Sequence, residues 1–409
     1  MISMKFKLRC LKCGKTYPEN KYICKCENGC NSILRTEYEN KKLVINENYE
    51  GIWKYINWLP IKNVDNRLLN STSSFNTYKS IKLAKYFGLK NLIICLNTYP
   101  NMKTGSFKDI EAEVSFQRVL DTTDKGKPFV LSSDGNNAIS FTYYSSVLNY
   151  PIYLFVTEDA RVRRMWSFSK NNPYLNLFPI KGDYYDAIFL SGKFSNVNGL
   201  LSEGGSQNVA RRDGVSTILL DATRFIGEIP DHYFQALGSG PGAIAAYEAS
   251  LRLVEDGSYG KKIPKIHGSQ NYPFTPMYDA WQNKSRMIDE KYQNKDAKNL
   301  IDKTYAHVLT NRYPAYSLKG GVYDTLKKTN GEFYSVTNEE AKSAQDIFKK
   351  YEGISIVPES GITVSSLEKA IKNETIERDD YILLNITGGG REEISREKFK
   401  IEPSFSRIN

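Results

Sequence analysis

The chain has 409 residues, of which 40% are hydrophobic and 25% charged, and its formal net charge is +10. That length builds two or three domains with an ample core. The composition is that of a globular enzyme, and no apolar run reaches the ~20 residues of a membrane helix. The basic residues are spread along the chain and interrupted by acids. This pattern argues against a nucleic-acid face and for attraction of small anions.

The opening Met1-Ile2-Ser3-Met4-Lys5 has no apolar core of leader length, which predicts a cytoplasmic location. Five of the six cysteines follow at once: Cys10, Cys13, Cys24, Cys26 and Cys30. In a reducing compartment such a cluster binds metal more readily than it forms disulfides. Cys10-x-x-Cys13 with Cys24-x-Cys26, or with Cys30, would wrap one zinc in a small ribbon. The expected ligand set is Cys10, Cys13, Cys24 and Cys26; the alternative is a metal-free β-ribbon with reduced thiols. Asn40-Lys41-Lys42 reads as a turn before a strand at Leu43-Val44-Ile45, so residues 1–50 form a unit of short strands. The aromatic stretch Gly51 to Pro60 is expected to pack against the main body, and Cys95, alone in an apolar strand, to lie in the core.

Strand and helix signals then alternate to the end, which predicts parallel sheets covered by helices on both faces. Four strand-to-helix or strand-end junctions stand out. The apolar run Asn91 to Leu96 leads to Thr104-Gly105-Ser106-Phe107-Lys108-Asp109 and a helical pattern to Leu120. A lysine held there, partly withdrawn from water, loses proton affinity and can form a Schiff base. Phe129-Val130-Leu131 leads to Ser132-Ser133-Asp134-Gly135-Asn136-Asn137 and a helix from Ala138, a turn that can face an anion with helix N–H groups. Tyr233 to Leu237 leads to Gly238-Ser239-Gly240-Pro241-Gly242 and a helix from Ala243, the recipe for a phosphate cradle. Tyr381 to Ile386 ends in Thr387-Gly388-Gly389-Gly390, a hydroxyl where open α/β sheets bind ligands. Tyr259 to Tyr305 is polar and weakly periodic and reads as loops and surface helix.

Lysine, asparagine loop, glycine loop and terminal threonine, in that order, resemble the fold-type-II pyridoxal-phosphate enzymes, the tryptophan synthase β superfamily. The likeness is closer to threonine synthase and cysteate synthase. It is carried by Cys10-Leu11-Lys12-Cys13-Gly14, Glu203-Gly204-Gly205, Asn208-Val209-Ala210-Arg211-Arg212, Pro230 to Ala236, Pro276-Met277-Tyr278 and Leu309-Thr310-Asn311-Arg312. The resemblance implies two three-layer αβα domains with the cofactor between them. The larger would take residues 51–100 and 215–409, and a small mobile substrate domain 101–214.

By the same resemblance, Lys108 binds pyridoxal phosphate covalently and, once displaced by a substrate amine, acts as base at Cα. Asn136 faces the ring O3′, Thr387 the ring nitrogen, and Gly238, Ser239, Gly240, Pro241 and Gly242 the phosphate. Ser132, Ser133, Gly135 and Asn137 face the substrate carboxylate. Arg211 and Arg212 are candidates for a substrate phosphate or sulfonate, although helix neighbours point different ways and at most one reaches the site. Arg312 is a further candidate, and His232 is expected to be a satisfied structural histidine. Asp134 departs from the small residue usual in this loop and would repel a carboxylate if it faced one.

The implied reaction is β-replacement on O-phospho-L-serine by sulfite, giving L-cysteate and phosphate. Another nucleophile on phosphoserine, threonine synthesis, or a non-catalytic zinc-ribbon interaction protein are the alternatives. The partners implied are a small anionic amino acid, a small nucleophile and further copies of the chain in a dimer or trimer, with no nucleic acid and no membrane.

Overall fold

A computed structural model describes residues 4–133, 135–158, 172–294 and 296–391. Strands β1 (Phe6–Cys10), β2 (Thr16–Pro18) and β3 (Leu34–Tyr38) form an antiparallel sheet in the order β2-β1-β3. Alternate residues of β1 (Phe6, Leu8, Cys10) are buried, the period expected of a strand with one face on a core. The strand expected at Leu43-Val44-Ile45 does not form. Its backbone is engaged elsewhere: Leu43 N–H donates to Asp256 Oδ2 at 2.6 Å and Asn46 N–H to the Lys54 carbonyl at 2.9 Å. Gly51–Trp58 is a 3-10 helical segment whose Trp53 and Trp58 are fully buried, as the aromatic content predicts.

The main sheet has six strands in the order β12-β11-β10-β13-β5-β4. These are β4 (Asn76–Lys79), β5 (Asn91–Leu96), β10 (His232–Ala236), β11 (Lys265–Asn271), β12 (Glu332–Val336) and β13 (Tyr381–Ile386). All pairings are parallel except β4 with β5. Its strands are apolar on both faces because helices cover both. Leu92, Ile94 and Leu96 pack with Ala344, Phe348, Val364 and Leu367, whereas Ile93 and Cys95 join the cluster of Ile218, Ala243 and Ala246. A second sheet has four parallel strands, β6 (Phe129–Ser132), β7 (Ile152–Thr157), β8 (Leu175–Ile180) and β9 (Leu201–Ser202), in the order β8-β7-β6-β9.

Strand β11 falls where the sequence reads as loop. Its residues are polar, and most of its inward groups find partners, which offsets the cost of burial; Ser269 Oγ and Gln270 Nε2 are exceptions. His267 bonds His232 at 2.9 Å and Tyr334 at 3.1 Å, and Gln270 Oε1 accepts from Met277 N–H at 2.8 Å. His232 is closed on its other side by Asp380 at 2.9 Å, the structural role expected of it.

The helix Val209–Ile226 runs through Gly214, where the sequence reading places the end of the smaller domain. Gly214 lies where a Cβ would come within 3.1 Å of the Ile110 carbonyl. Its lack of a side chain lets this helix approach the Lys108–Leu120 helix closely, and that brings Arg211 beside Glu111. Among the described residues, no helix is long and apolar enough to cross a membrane.

Candidate active site

The C-terminal ends of β6, β10 and β13 open on one cavity of about 1340 Å³. This is where ligands enter open α/β sheets. Lys108, Ser132, Ser133, Gly135, Asn136, Asn137, Arg211, Gly238 to Gly242 and Thr387 all line it.

Lys108 is the first residue of the Lys108–Leu120 helix. The segment before it is tied to the end of β13: Phe107 N–H donates to the Thr387 carbonyl and Gly389 N–H to the Gly105 carbonyl, both at 3.1 Å. Lys108 keeps 17% of its side chain exposed, so its nitrogen can reach a bound molecule. Nζ lies 4.3 Å from the Phe107 ring centroid and contacts Glu111 Oε1. Burial lowers the proton affinity of Lys108, and the Glu111 charge partly restores it.

Asn136 opens the Asn136–Leu148 helix. Its Nδ2 donates to Glu359 Oε1 at 2.9 Å and its Oδ1 accepts from Arg391. Ser133 Oγ accepts from the N–H groups of Gly135 and Ala138, both at 3.2 Å, so it acts as a local cap. Asn137, with its amide nitrogen turned to Glu111, donates to Oε2 at 3.0 Å and accepts from Arg211 at 2.8 Å. Asp134 lies outside the described residues.

The Gly238–Gly242 loop enters the Pro241–Asp256 helix through Gly240 at φ +92°, a conformation glycine adopts freely. Pro241 stands at the first helical turn, and the first-turn amides beyond it have no intrahelical acceptor. A Cβ at Gly242 would stand 2.3 Å from Gln235 Oε1. Asn311 Nδ2 donates to Ser239 Oγ at 2.6 Å and steadies the loop. Thr387 Oγ1 lies 3.3 Å from Ser360 Oγ, which also accepts from Thr387 N–H at 3.1 Å. Bare amides at a helix start, a partly exposed lysine and a strand-end hydroxyl around one cavity fit a phosphorylated aldehyde cofactor.

The two arginines part company. Arg211 lines the cavity, but its guanidinium is held by Glu203 at 2.6 Å and by Glu111 at 3.0 Å. Burial opposes its charge, and Glu203 and Glu111 more than offset that, raising its proton affinity further. Arg212 is withdrawn from the substrate set: it faces away from the cavity, to Glu248 at 3.1 Å, the Ser206 carbonyl at 2.8 Å and the Leu34 carbonyl. It ties β3 to the body. Arg312 lines the cavity and pairs with Asp183 at 2.7 Å.

The sulfur atoms of Cys10, Cys13, Cys26 and Cys30 lie within 4.8 Å of one another. This corrects the expected set: Cys30 replaces Cys24. Each pair sits on a tight knuckle, with Gly14 N–H donating to the Cys10 carbonyl at 2.9 Å and Gly29 N–H to the Cys26 carbonyl at 3.0 Å. Cys24 points out of the knuckles and donates to the Glu203 carbonyl at 3.6 Å. Four thiols converging in this way fit a tetrahedral zinc.

Glu111, Glu359, Ser360 and Arg391 were not singled out in the sequence. Glu111 carries a readable signal, because Lys-x-x-Glu on a helix puts the two side chains on one face. Glu359, Ser360 and Arg391 reach the site only through the tertiary fold.

A family model described as pyridoxal-phosphate dependent enzyme matches residues 77–388. The fold is also that of a pyridoxal 5′-phosphate-dependent aspartate racemase, with a TM-score of 0.61 at 14% identity, covering 80% of this chain and 93% of that one. It matches an O-ureido-L-serine synthase variant with a TM-score of 0.57 at 12% identity. The chain therefore belongs to the pyridoxal-phosphate-dependent enzymes of fold type II.

Within that class its relatives are narrower. It is 42% identical to the cysteate synthase of Methanosarcina barkeri over 99% of this chain and 97% of the relative. It is 43% identical to that of Methanosarcina acetivorans, again over 99% and 97%. Its place is in the cysteate synthase family.

Gly242→Ala is expected to weaken cofactor binding by about tenfold or more, equivalent to ~1.4 kcal/mol, in a fluorescence titration of apo-protein. Unchanged affinity would mean the loop does not cradle the phosphate. Protein purified under reducing conditions is expected to carry one zinc per chain by atomic emission. Cys30→Ser should lower that content and Cys24→Ser should not; the reverse pattern contradicts the ligand set.

Proposed function

We propose that this chain replaces the phosphate of O-phospho-L-serine with sulfite, giving L-cysteate and inorganic phosphate. The observation that carries the reading is 42% identity to a cysteate synthase along 99% of the chain. In the cavity, Lys108 attaches the cofactor, Gly238 to Gly242 take its phosphate on bare amides, and Asn136 and Thr387 face its ring. Pyridoxal phosphate, when bound there, supplies the electron sink for negative charge at the substrate Cα.

The chain's residues do the rest. Lys108 Nζ, freed from the cofactor by the substrate amine, takes the Cα proton. Such general base catalysis contributes ~10²–10⁴-fold. The Cβ–O bond breaks and its electron pair leaves with phosphate. The sulfite sulfur lone pair then forms the Cβ–S bond, and Lys108 Nζ returns the proton to Cα.

Because Ser133 occupies the amides of Gly135 and Ala138, those of Asn136 and Asn137 are left to receive the substrate carboxylate. Lys25, Lys181 and Lys298 line the cavity, and their charge draws dianionic substrates inward. A threonine at the end of β13, rather than a carboxylate, suits elimination and replacement over transamination.

A smaller body that carries the four-stranded sheet and closes on the larger one is part of this reading; because the Val209–Ile226 helix runs through Gly214, its limit lies away from the residue 214 expected from sequence. The reaction is placed in the cytoplasm, where thiols such as the Cys10 cluster stay reduced. A homo-oligomer of two or three chains is the assembly that goes with this reading.

The test is a coupled phosphate assay with mass analysis of the product. Phosphoserine with sulfite is expected to give equal amounts of phosphate and cysteate, and O-phosphohomoserine none. Lys108→Ala should lower the rate by ~10³-fold or more. Failure to release phosphate from phosphoserine would overturn this substrate assignment.

A further inference from the structure

The lysine at the centre of the site is the last link of a buried chain of alternating charge. Lys108 Nζ contacts Glu111 Oε1, and Glu111 Oε2 stands 3.0 Å from Arg211. Arg211 Nε stands 2.6 Å from Glu203, and its second nitrogen contacts the other Glu203 oxygen. Glu203 is fixed in turn by Asn208 Nδ2 at 2.8 Å and by Gly205 N–H at 3.1 Å. Glu111 and Glu203 are fully or almost fully buried, and so is Arg211.

An ion pair one helical turn apart is worth little on a surface. Out of water it differs, because a buried charge left without its partner is strongly disfavoured. Glu111 therefore stays where both cations are, and two directional contacts plus Asn137 leave its carboxylate little freedom. Its free electrostatic effect falls on the one group of the chain that must change its proton during turnover.

We propose that Glu111 is a positioning residue for the reaction: clamped by Arg211, its carboxylate holds the Lys108 nitrogen at the helix start and keeps a negative group against it. The inference rests on the reading of Lys108 as the proton carrier. Two opposing effects meet at Nζ. Burial and, further off, the Arg211 charge release the proton and make a base, while Glu111 and, more weakly, Glu203 retain it and keep the nitrogen competent to return it to Cα. A purely structural Glu111 would brace Arg211 and leave the titration of Lys108 unchanged.

The test uses the cofactor-loaded enzyme and reads the pH dependence of its visible absorption together with that of kcat. In Glu111→Gln, which keeps shape and a hydrogen bond but loses the charge, both transitions are expected to move to lower pH by about one pH unit, the effect of ~1.4 kcal/mol at one nitrogen. Glu203→Gln should move them the same way by less, and carries the test alone if the first variant does not fold. Transitions at the wild-type pH in these variants would overturn the proposal. An absorption shift without any phosphate release from phosphoserine counts against the reaction proposed above and leaves the role of Glu111 standing. Phosphate release without a shift does the opposite.

Discussion

The site depends on a short backbone ladder between two segments about 280 residues apart. Phe107 donates to Thr387, Gly389 donates to Gly105, and Ser106 bridges Gly388. The ladder is antiparallel and lies just beyond the parallel pairing of β5 with β13, which runs from Asn91–Tyr381 to Leu96–Ile386. It fixes where the Lys108 helix begins relative to the threonine at the strand end. Neighbouring strand β10 then delivers the Gly238–Gly242 loop to the same edge. One end of this sheet thereby brings Lys108, the Gly238–Gly242 loop and Thr387 to the same cavity, and the second sheet brings the asparagine loop to it.

The Lys108–Leu120 helix bears an unusual burden for an interior helix, since Asp109, Glu111 and Glu113 are all fully buried. Each is handled differently. Asp109 accepts from Thr104 N–H at 2.8 Å and from its hydroxyl at 2.6 Å, and burial still pushes its carboxyl up to about 6. Glu113 accepts from Ser73 N–H at 2.9 Å and Tyr144 at 2.6 Å, and burial pushes its carboxyl up to about 8. Glu111 alone is placed between two cations. One helix thus buries three carboxyls in three different settings, each with its own partners.

The parallel architecture and the four junctions were readable because each rests on local patterns: an apolar run, a small-residue turn, a helix start. The structure puts those junctions around one cavity. The misses share a cause. Strand β11 is polar, and its place in the sheet depends on His232, Tyr334 and other groups far along the chain. Cys24 and Cys30 are both candidates by composition, and the turn at Gly29, which brings Cys30 back beside Cys26, decides between them. Arg211 and Arg212 are adjacent, and the side of the helix that faces Glu203 or Glu248 is set by packing. Local chemistry announces itself in sequence; the choice between neighbouring side chains is made by the fold.

The ribbon is also built into the catalytic wall. Tyr22 donates to the Glu203 carbonyl at 3.1 Å beside the Cys24 contact, and Cys26 and Cys30 line the cavity. A small domain that could not stabilise itself through its own core is thus held both by its thiol cluster and by the loop that anchors Arg211. All of this organisation converges on the nitrogen of residue 108. Borohydride reduction of the cofactor-loaded protein, followed by peptide mass analysis, tests that convergence directly. The account predicts a single pyridoxyl-bearing peptide with the modification on Lys108. A label on another lysine, or no label at all, would contradict it.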